Sequence, residues 1–570
     1  MSKRKVIGGT AILAVIVFAA IFGIMSLVDN AGKTTNQITA EQTVEELNRY
    51  VDKKVDVKKV EHPTKGTVDL EASSLQDELP EIGTYFYKVE GKGEVNIEIF
   101  SSPEKAGRET MKESSETDYN TWLVKVVEDF NKQGYTTSDG KTVSVSLRSI
   151  SSGVMVDYIV SGKSVPDAIT PSNECWISML KAHGVTLTQE TESLVRNVAG
   201  IVLNKETYNK ITEKYGSVNL ETIVEATINN EIAMGYTNPY ASSAGINFLM
   251  SELLTFDSSN PLSEEAIANF QAFQANVPVV SYNTVQMQGA IDSGVLDAMI
   301  LEYQGFANKP ALRNYVFVPF GVRHDNPLYS IGDLSADKKE VMKLFVDFAT
   351  SQEAQESAKE YGFGGHSDYV PEVRNADGNT LLDAQQLWKN KKDNGQEIVA
   401  VFIIDTSGSV DGAPLNAMKE SLINAGQYIN SENYVGLVTY NSDVTINLPI
   451  AKFDLNHRAY FNGEINGLSG AGGTRTFDAI AVGLQMLEQS KADHPDAKFM
   501  LFVLSDGNSD GSLEKVSPFI ENLNVPIYTI GYNANIDALK KISQINEAAS
   551  INADTDDIIY SLKNLFNAQM

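Results

Sequence analysis

The sequence predicts an α/β protein: a C-terminal doubly wound, mostly parallel sheet, a two-lobed α/β module before it, and an N-terminal transmembrane helix. Three observations predict this. IVAVFIID (398–405) and FMLFVLS (499–505) are nearly continuous apolar runs, the pattern of strands buried on both faces. From about residue 95 to 365, strand-like segments alternate with amphipathic helical ones. At the start, 23 uncharged residues from Val6 to Val28 follow Lys3, Arg4 and Lys5.

Composition narrows the classes. The 570 residues exceed what one core organises, and domains of ~150 residues suggest three or four units. Lys and Arg number 46 against 74 Asp and Glu, a net charge of −28. Such a surface repels phosphate backbones, so no nucleic-acid partner is expected. Acidity serves solubility first. The single cysteine, Cys175, excludes an intramolecular disulfide and a thiolate metal cluster. No two of the six histidines stand three or four apart, which excludes a helical His–His metal site.

Residues 1–29 form the expected anchor. Twenty-three residues span ~34 Å as a helix, enough for a ~30 Å bilayer core. The basic start places the bulk of the chain outside the cell membrane, single-pass. A cleaved signal peptide is the alternative, but its apolar region is usually ~7–15 residues, and Ser26-Leu27-Val28-Asp29-Asn30-Ala31 is a poor cleavage site. Residues 30–94 are polar and read as a stalk, with a helix over Ala40–Val51 and an alternating stretch over Val55–Leu70.

The module at 95–365 opens with the strand VNIEIFSS and the amphipathic helix TWLVKVVEDFNKQG. TVSVSLRSI, PDAITPS, GIVLN and YVFVPFGV continue as strands between helices. A polar linker at 366–396 carries one helix, Thr380–Lys389. The final unit, 397–570, has strands at Ile398–Asp405, Tyr434–Tyr440, Thr445–Pro449, Lys498–Ser505 and Pro526–Gly531, separated mostly by helices.

Ligands of open α/β sheets bind beyond the carboxyl ends of strands. The first strand of the final unit ends in Asp405-Thr406-Ser407-Gly408-Ser409, where three side-chain oxygens alternate in a tight turn. A glycine-rich loop, Gly470-Ala471-Gly472-Gly473-Thr474, offers another hydroxyl, and FMLFVLS ends at Asp506. Hard oxygen donors suit Mg²⁺ or Mn²⁺, with Ca²⁺ a third candidate. Alone, each loop is also compatible with helix capping.

These loops resemble the metal-ion-dependent adhesion site of the von Willebrand factor type A domain, at Asp405, Ser407, Ser409, Thr474 and Asp506. The resemblance implies direct coordination by Ser407, Ser409 and Thr474, with Asp405 and Asp506 acting mainly through water. It also implies an open position for the carboxylate of a protein or matrix partner. Thr476, in the same loop, is the alternative to Thr474.

The 95–365 module resembles extracellular solute-binding proteins of the type II periplasmic-binding fold. RSISSG, PDAITPSNECW, GYTNPYASSAGINFL, GAIDSGVLDAMILEYQGFA and the late helix KLFVDFATSQEAQESAKEYGF carry the likeness. The resemblance implies two hinged lobes around a cleft for a small solute. Ser151, Ser152, Ser242 and Ser243 open helices whose N–H groups suit an anion or carboxylate, and equally read as caps. Ser102, Trp176, Asn238 and Tyr303 are further candidates for the cleft wall.

No nucleophile–base pairing appears. Cys175 has no histidine near it in sequence, and GAGGTRT lacks the Lys-Ser/Thr of a phosphate-binding loop. The expectation is a binding protein and not an enzyme: a membrane-anchored extracellular adhesion protein working through a divalent cation. The alternative is a solute receptor for a transporter or sensor, with the final unit serving assembly.

Overall fold

The computed structural model describes residues 40–68, 75–107, 121–281, 296–392, 396–532, 536–543 and 550–553, with isolated positions between and after these. The expected anchor lies outside the described residues. Among those described, no helix is long and apolar enough to cross a membrane.

The first described element corrects the expected stalk. Helix α1 (Ala40–Lys54) buries the ladder Thr43, Leu47 and Val51, spaced at one helical turn, against residues 476–490 and 517–523 of the final unit. Lys53 and Lys54 in its last turn complement the helix dipole. Strand β1 (Val57–Lys59) then pairs in parallel with Val444–Ile446 at the edge of the final sheet. Among the described residues of the alternating stretch expected over Val55–Leu70, only these three form a strand. Farther on, Leu79 and Tyr85 enter the core of the middle module. Over the described residues from 40 to 68, the polar side chains lie mostly on the outer faces of docked elements.

The middle module has two sheets. The first lobe orders its strands β2-β4-β3-β5-β12-β6, with β2 (Tyr87–Val89), β3 (Val95–Ser101), β4 (Val143–Ser149), β5 (Ala168–Thr170), β6 (Leu187–Thr191) and the late β12 (Leu328–Ile331). The second orders β11-β7-β10-β8-β9, with β7 (Val198–Asn204), β8 (Met234–Thr237), β9 (Val279–Ser281), β10 (Ala298–Glu302) and β11 (Tyr315–Arg323). The chain crosses between the lobes after β6 and again after β11. In the first lobe, α2 (Trp122–Lys132) buries Trp122, Leu123, Val126, Val127 and Phe130, α3 (Ser152–Ser161) follows β4, and α4 (Glu174–Ala182) follows β5. In the second, α5 (Ser243–Phe256) follows β8.

The expected linker is corrected as well. Helix α6 (Gly378–Lys391) folds back on the middle module, and its Leu381, Ala384 and Trp388 join that module's core.

The final sheet runs β1-β15-β14-β13-β16-β17-β18. Here β13 is Ile398–Asp405, β14 Tyr434–Tyr440, β15 Val444–Lys452, β16 Lys498–Ser505, β17 Ile527–Tyr532 and β18 Ser550–Ala553. All neighbours are parallel except β14 and β15. Along β13, Ala400, Phe402 and Ile404 enter one core while Val399, Val401 and Ile403 enter the other. Two-sided burial explains the unbroken apolar run, each buried Val, Ile or Phe contributing about 1.5–3 kcal/mol. Phe402 and Phe502 stack across β13 and β16 at 4.9 Å. Helices α7 (Ala413–Ala425), α8 (Thr476–Ser490) and α9 (Ser517–Leu523) cover the sheet.

Candidate functional site

Three loops meet at the carboxyl end of β13. Asp405 ends that strand fully buried. Its Oδ1 accepts the Ser407 N–H at 2.9 Å, and its Oδ2 accepts the Ser505 hydroxyl at 2.8 Å and the Tyr440 hydroxyl at 3.1 Å. Burial raises the Asp405 carboxyl above its ordinary range; the Ser407 and Ser505 hydrogen bonds oppose this, and the neighbouring Asp506 carboxylate adds to it. A cation beside two neighbouring carboxylates would relieve their mutual repulsion.

Backbone bonds hold the loops together. The Gly408 N–H reaches the Gly472 carbonyl at 3.2 Å, and the Ala471 N–H reaches that of Thr406 at 2.9 Å. Thr474 N–H donates to Asp510 Oδ2 and its carbonyl accepts from Asp510 N–H, both at 2.8 Å. The Ser407 and Ser409 hydroxyls lie 2.9 Å apart, and Ser409 is exposed. Asp506 accepts the backbone and side-chain N–H groups of Asn508 at 2.9 and 3.0 Å. The Thr476 hydroxyl donates to the Asn508 carbonyl at 3.4 Å, whereas the Thr474 hydroxyl has no partner among the described residues. Among those residues no three His, Cys, Asp or Glu side chains gather as a metal group; the donors here are two carboxylates and three hydroxyls. That set fits a hard divalent ion with part of its water retained.

The second candidate site is the face between the two lobes, and there the hydroxyls are already partnered. Ser243 of α5 donates its hydroxyl to Ser152 of α3 at 3.1 Å and accepts the Trp176 indole N–H of α4 at 2.8 Å. Asn173, the cap of α4, donates to the Ser243 carbonyl at 3.1 Å. Gly153 N–H approaches the Ala241 carbonyl at 3.4 Å, and a Cβ at Gly153 would stand 2.0 Å from the Tyr240 carbonyl oxygen. Ser242 caps α5 and accepts the Thr237 hydroxyl. Asn238 Oδ1 accepts the Tyr240 N–H, while its buried Nδ2 has no partner among the described residues. Ser151 sits at the N-cap of α3, in reach of that seam.

Two candidates fall elsewhere. Ser102 is buried near the crossovers, where its hydroxyl accepts from Lys105 at 2.5 Å and from Ser172 at 3.2 Å. Tyr303 packs edge-on against Phe317 and His366, with centroids 5.3 and 4.9 Å away.

The sequence reading missed the polar cluster that joins the lobes at their crossovers. Lys105 is fully buried, donates to Asn326 at 2.7 Å, and is pushed down to about 8 by that burial. Asn173 and Asn247 spend their Oδ1 atoms on the N–H groups of Cys175 and Val322, so both Nδ2 groups donate to His324 Nε2 at 3.1 Å. With Nε2 accepting, the other ring nitrogen, Nδ1, is the donor to Glu302 Oε1 at 2.8 Å. Scattered single polar residues in apolar segments, such as His324 after YVFVPFGVR, were the only signal available.

Residues 400–568 match the von Willebrand factor type A domain. Residues 115–364 match the bacterial extracellular solute-binding proteins. Among curated relatives, inter-alpha-trypsin inhibitor heavy chain H3 of Bos taurus is 24% identical over 149 residues, covering 24% of this chain and 16% of its own length. The Homo sapiens protein is 23% identical over 145 residues, covering 24% and 16%. The chain thus spans about a sixth of these relatives. Among solved structures, a von Willebrand factor type A protein from Catenulispora acidiphila is 20% identical, covering 30% of this chain and 42% of that one, with a TM-score of 0.28. The sulfate-binding protein SubI from Mycobacterium tuberculosis H37Rv is 16% identical, covering 51% and 91%, with a TM-score of 0.34. The type A unit carries the three-loop site, and the solute-binding unit carries the seam. Both units match families of binding domains.

Proposed function

We propose that the chain is a membrane-anchored extracellular binding protein, not an enzyme, whose type A unit engages a protein or matrix partner through a divalent cation. The supporting observation is the stitching of three loops that bring Asp405, Ser407, Ser409, Thr474 and Asp506 to one end of the central strand. Ser407, Ser409 and Thr474 would hold the ion, with Asp405 and Asp506 supporting its charge. Thr474 is favoured over Thr476 because its hydroxyl is uncommitted. When bound, the ion supplies a Lewis-acid position for a partner carboxylate. The chain's own part is to fix the hydroxyls. Asp405 does this from below, through the Ser407 N–H and the Ser505 hydroxyl. The 23-residue apolar segment supports the anchor and the extracellular, single-pass placement.

The test is calorimetric titration of Mg²⁺ and Mn²⁺ into the whole chain. A fragment starting at the final unit would lose α1 and β1, which pack on it. Saturable one-to-one binding that EDTA reverses is expected, and its absence in the wild type would refute the metal reading.

A second reading, a solute receptor for a transporter or sensor, is supported by the family match at 115–364. It expects lobe movement on solute binding that is indifferent to EDTA.

A further inference from the structure

Helix α6 lies beyond the stretch that matches the solute-binding family, yet it is bonded to both lobes. Its buried face is Gly378, Leu381, Ala384, Gln385 and Trp388, at the three- and four-residue spacing of one helical stripe. On the first lobe it presses against α4: a Cβ at Gly378 would stand 2.0 Å from the Ser178 carbonyl oxygen. On the second lobe, Gln385 Nε2 donates to the Pro239 carbonyl at 2.8 Å and Trp388 Nε1 donates to the Tyr236 hydroxyl at 2.5 Å. The Trp388 and Tyr240 rings lie 6.0 Å apart. These anchor points, 236 to 240, immediately precede Ala241 and Ser243, which make the direct bonds across the seam.

A hinge opens a two-lobed protein by parting such faces. Here the lobes cannot part at α3, α4 and α5 while one helix is fastened to α4 on one side and to the loop before α5 on the other. We propose that α6 is a strap that holds the two lobes shut, and that a solute enters the seam only when the strap lifts. This needs no metal and stands apart from the adhesion reading. The strap also touches the type A unit, where Lys389 Nζ sits 5.3 Å from the centroid of the Tyr428 ring. A partner that moves the type A unit therefore acts on the same helix.

The chain contains its own reporter. Cys175, the only cysteine, lies buried in the first turn of α4 beside Asn173 and Trp176. Its buried thiol reacts with a maleimide only when the structure around the start of α4 opens, and hydrogen exchange separates seam opening from general unfolding. In the whole chain, Gln385→Ala should speed labelling about fivefold, the effect of one lost hydrogen bond. Trp388→Phe, which keeps most of the ring volume, should act in the same direction. Asp383→Asn, on the exposed face, should leave the rate unchanged. Hydrogen exchange read in parallel should show faster exchange at the starts of α3 and α5, with β4 and β7 still protected. Wild-type labelling rates in both Gln385→Ala and Trp388→Phe would overturn the strap. So would labelling that rises only together with exchange in β4 and β7, because general unfolding would then expose the thiol.

Discussion

The end of the type A sheet and the seam of the solute-binding unit are built from the same materials. Each places serines, threonines and an asparagine or aspartate where strands end and helices begin. In the type A unit the hydroxyls of Ser409 and Thr474 stay uncommitted or face solvent, because the loops are stitched by backbone bonds and by Asp405 beneath them. At the seam the side chains do the stitching: Ser152, Ser243, Trp176 and Asn173 satisfy one another across two lobes. Hydroxyls held from below stay available to a ligand. Hydroxyls that hold the fold themselves are released only when the fold moves.

This contrast can be broken by substitution, beginning where the effect should be greatest. Asp405→Ala should abolish Mg²⁺ binding in calorimetry while leaving the far-ultraviolet circular dichroism of the sheet in place; Ser407→Ala should weaken binding less. Retained affinity in both variants would remove the metal site from the open end. Trp388→Ala, at the shut end, should cost about 3–5 kcal/mol of stability in urea unfolding, as truncating a buried tryptophan does. A loss under 1 kcal/mol would mean that α6 is not part of the core.

The two serines compare the ends directly. Ser243→Ala leaves the Trp176 indole N–H buried without an acceptor and should cost about 1–3 kcal/mol. Ser409→Ala, on an exposed turn, should change stability by less than about 0.5 kcal/mol while reducing cation affinity. Equal stability losses would erase the distinction between the two regions.

The smallest effect concerns pH. His457, in the type A unit, is held below its ordinary 6.5 chiefly by burial, and its Nε2–H donates to the Val435 carbonyl at 2.7 Å. As pH falls below 6.5 the unfolded chain takes up a proton that the folded one refuses. Stability from this group is therefore complete above 6.5 and declines down to the depressed folded value. Urea midpoints at about pH 7.5 and 5.5 should differ less in His457→Gln than in the wild type. An unchanged difference would assign the acid sensitivity to other groups.

Much of this was legible beforehand because its signals are local. The apolar runs at 398–405 and 499–505 give strands with the expected bounds or within one residue of them. The tight turn after Asp405 and the loop before Thr474 show their oxygens in the letters themselves. What could not be read depends on partners distant in sequence. Nothing in TVEELNRYVDKK says that Leu47 and Val51 will meet a helix more than 420 residues later, so an amphipathic helix looked like a stalk. The stripe on α6 was equally visible, but a buried face does not name what buries it. The Ser-rich turns at 151 and 242 read alike as caps or as ligand donors, and only their meeting across the lobes decides how they are spent.

The docking of α1 and β1 has a consequence for how the protein is made. Tyr50 donates to Asp478 at 2.7 Å across a separation of 428 residues. At roughly 5–20 residues per second, a ribosome needs on the order of 20–90 s between making these two partners. During that interval the whole solute-binding unit emerges and has time to fold as an insert, while the first helix waits with Leu47 and Val51 uncovered. The helix at 40–54 thus waits longest for its partners of all the pieces of the type A unit. A nick in the chain just after residue 60 would leave it held to the type A unit by noncovalent contacts alone, those of α1 and the pairing of β1.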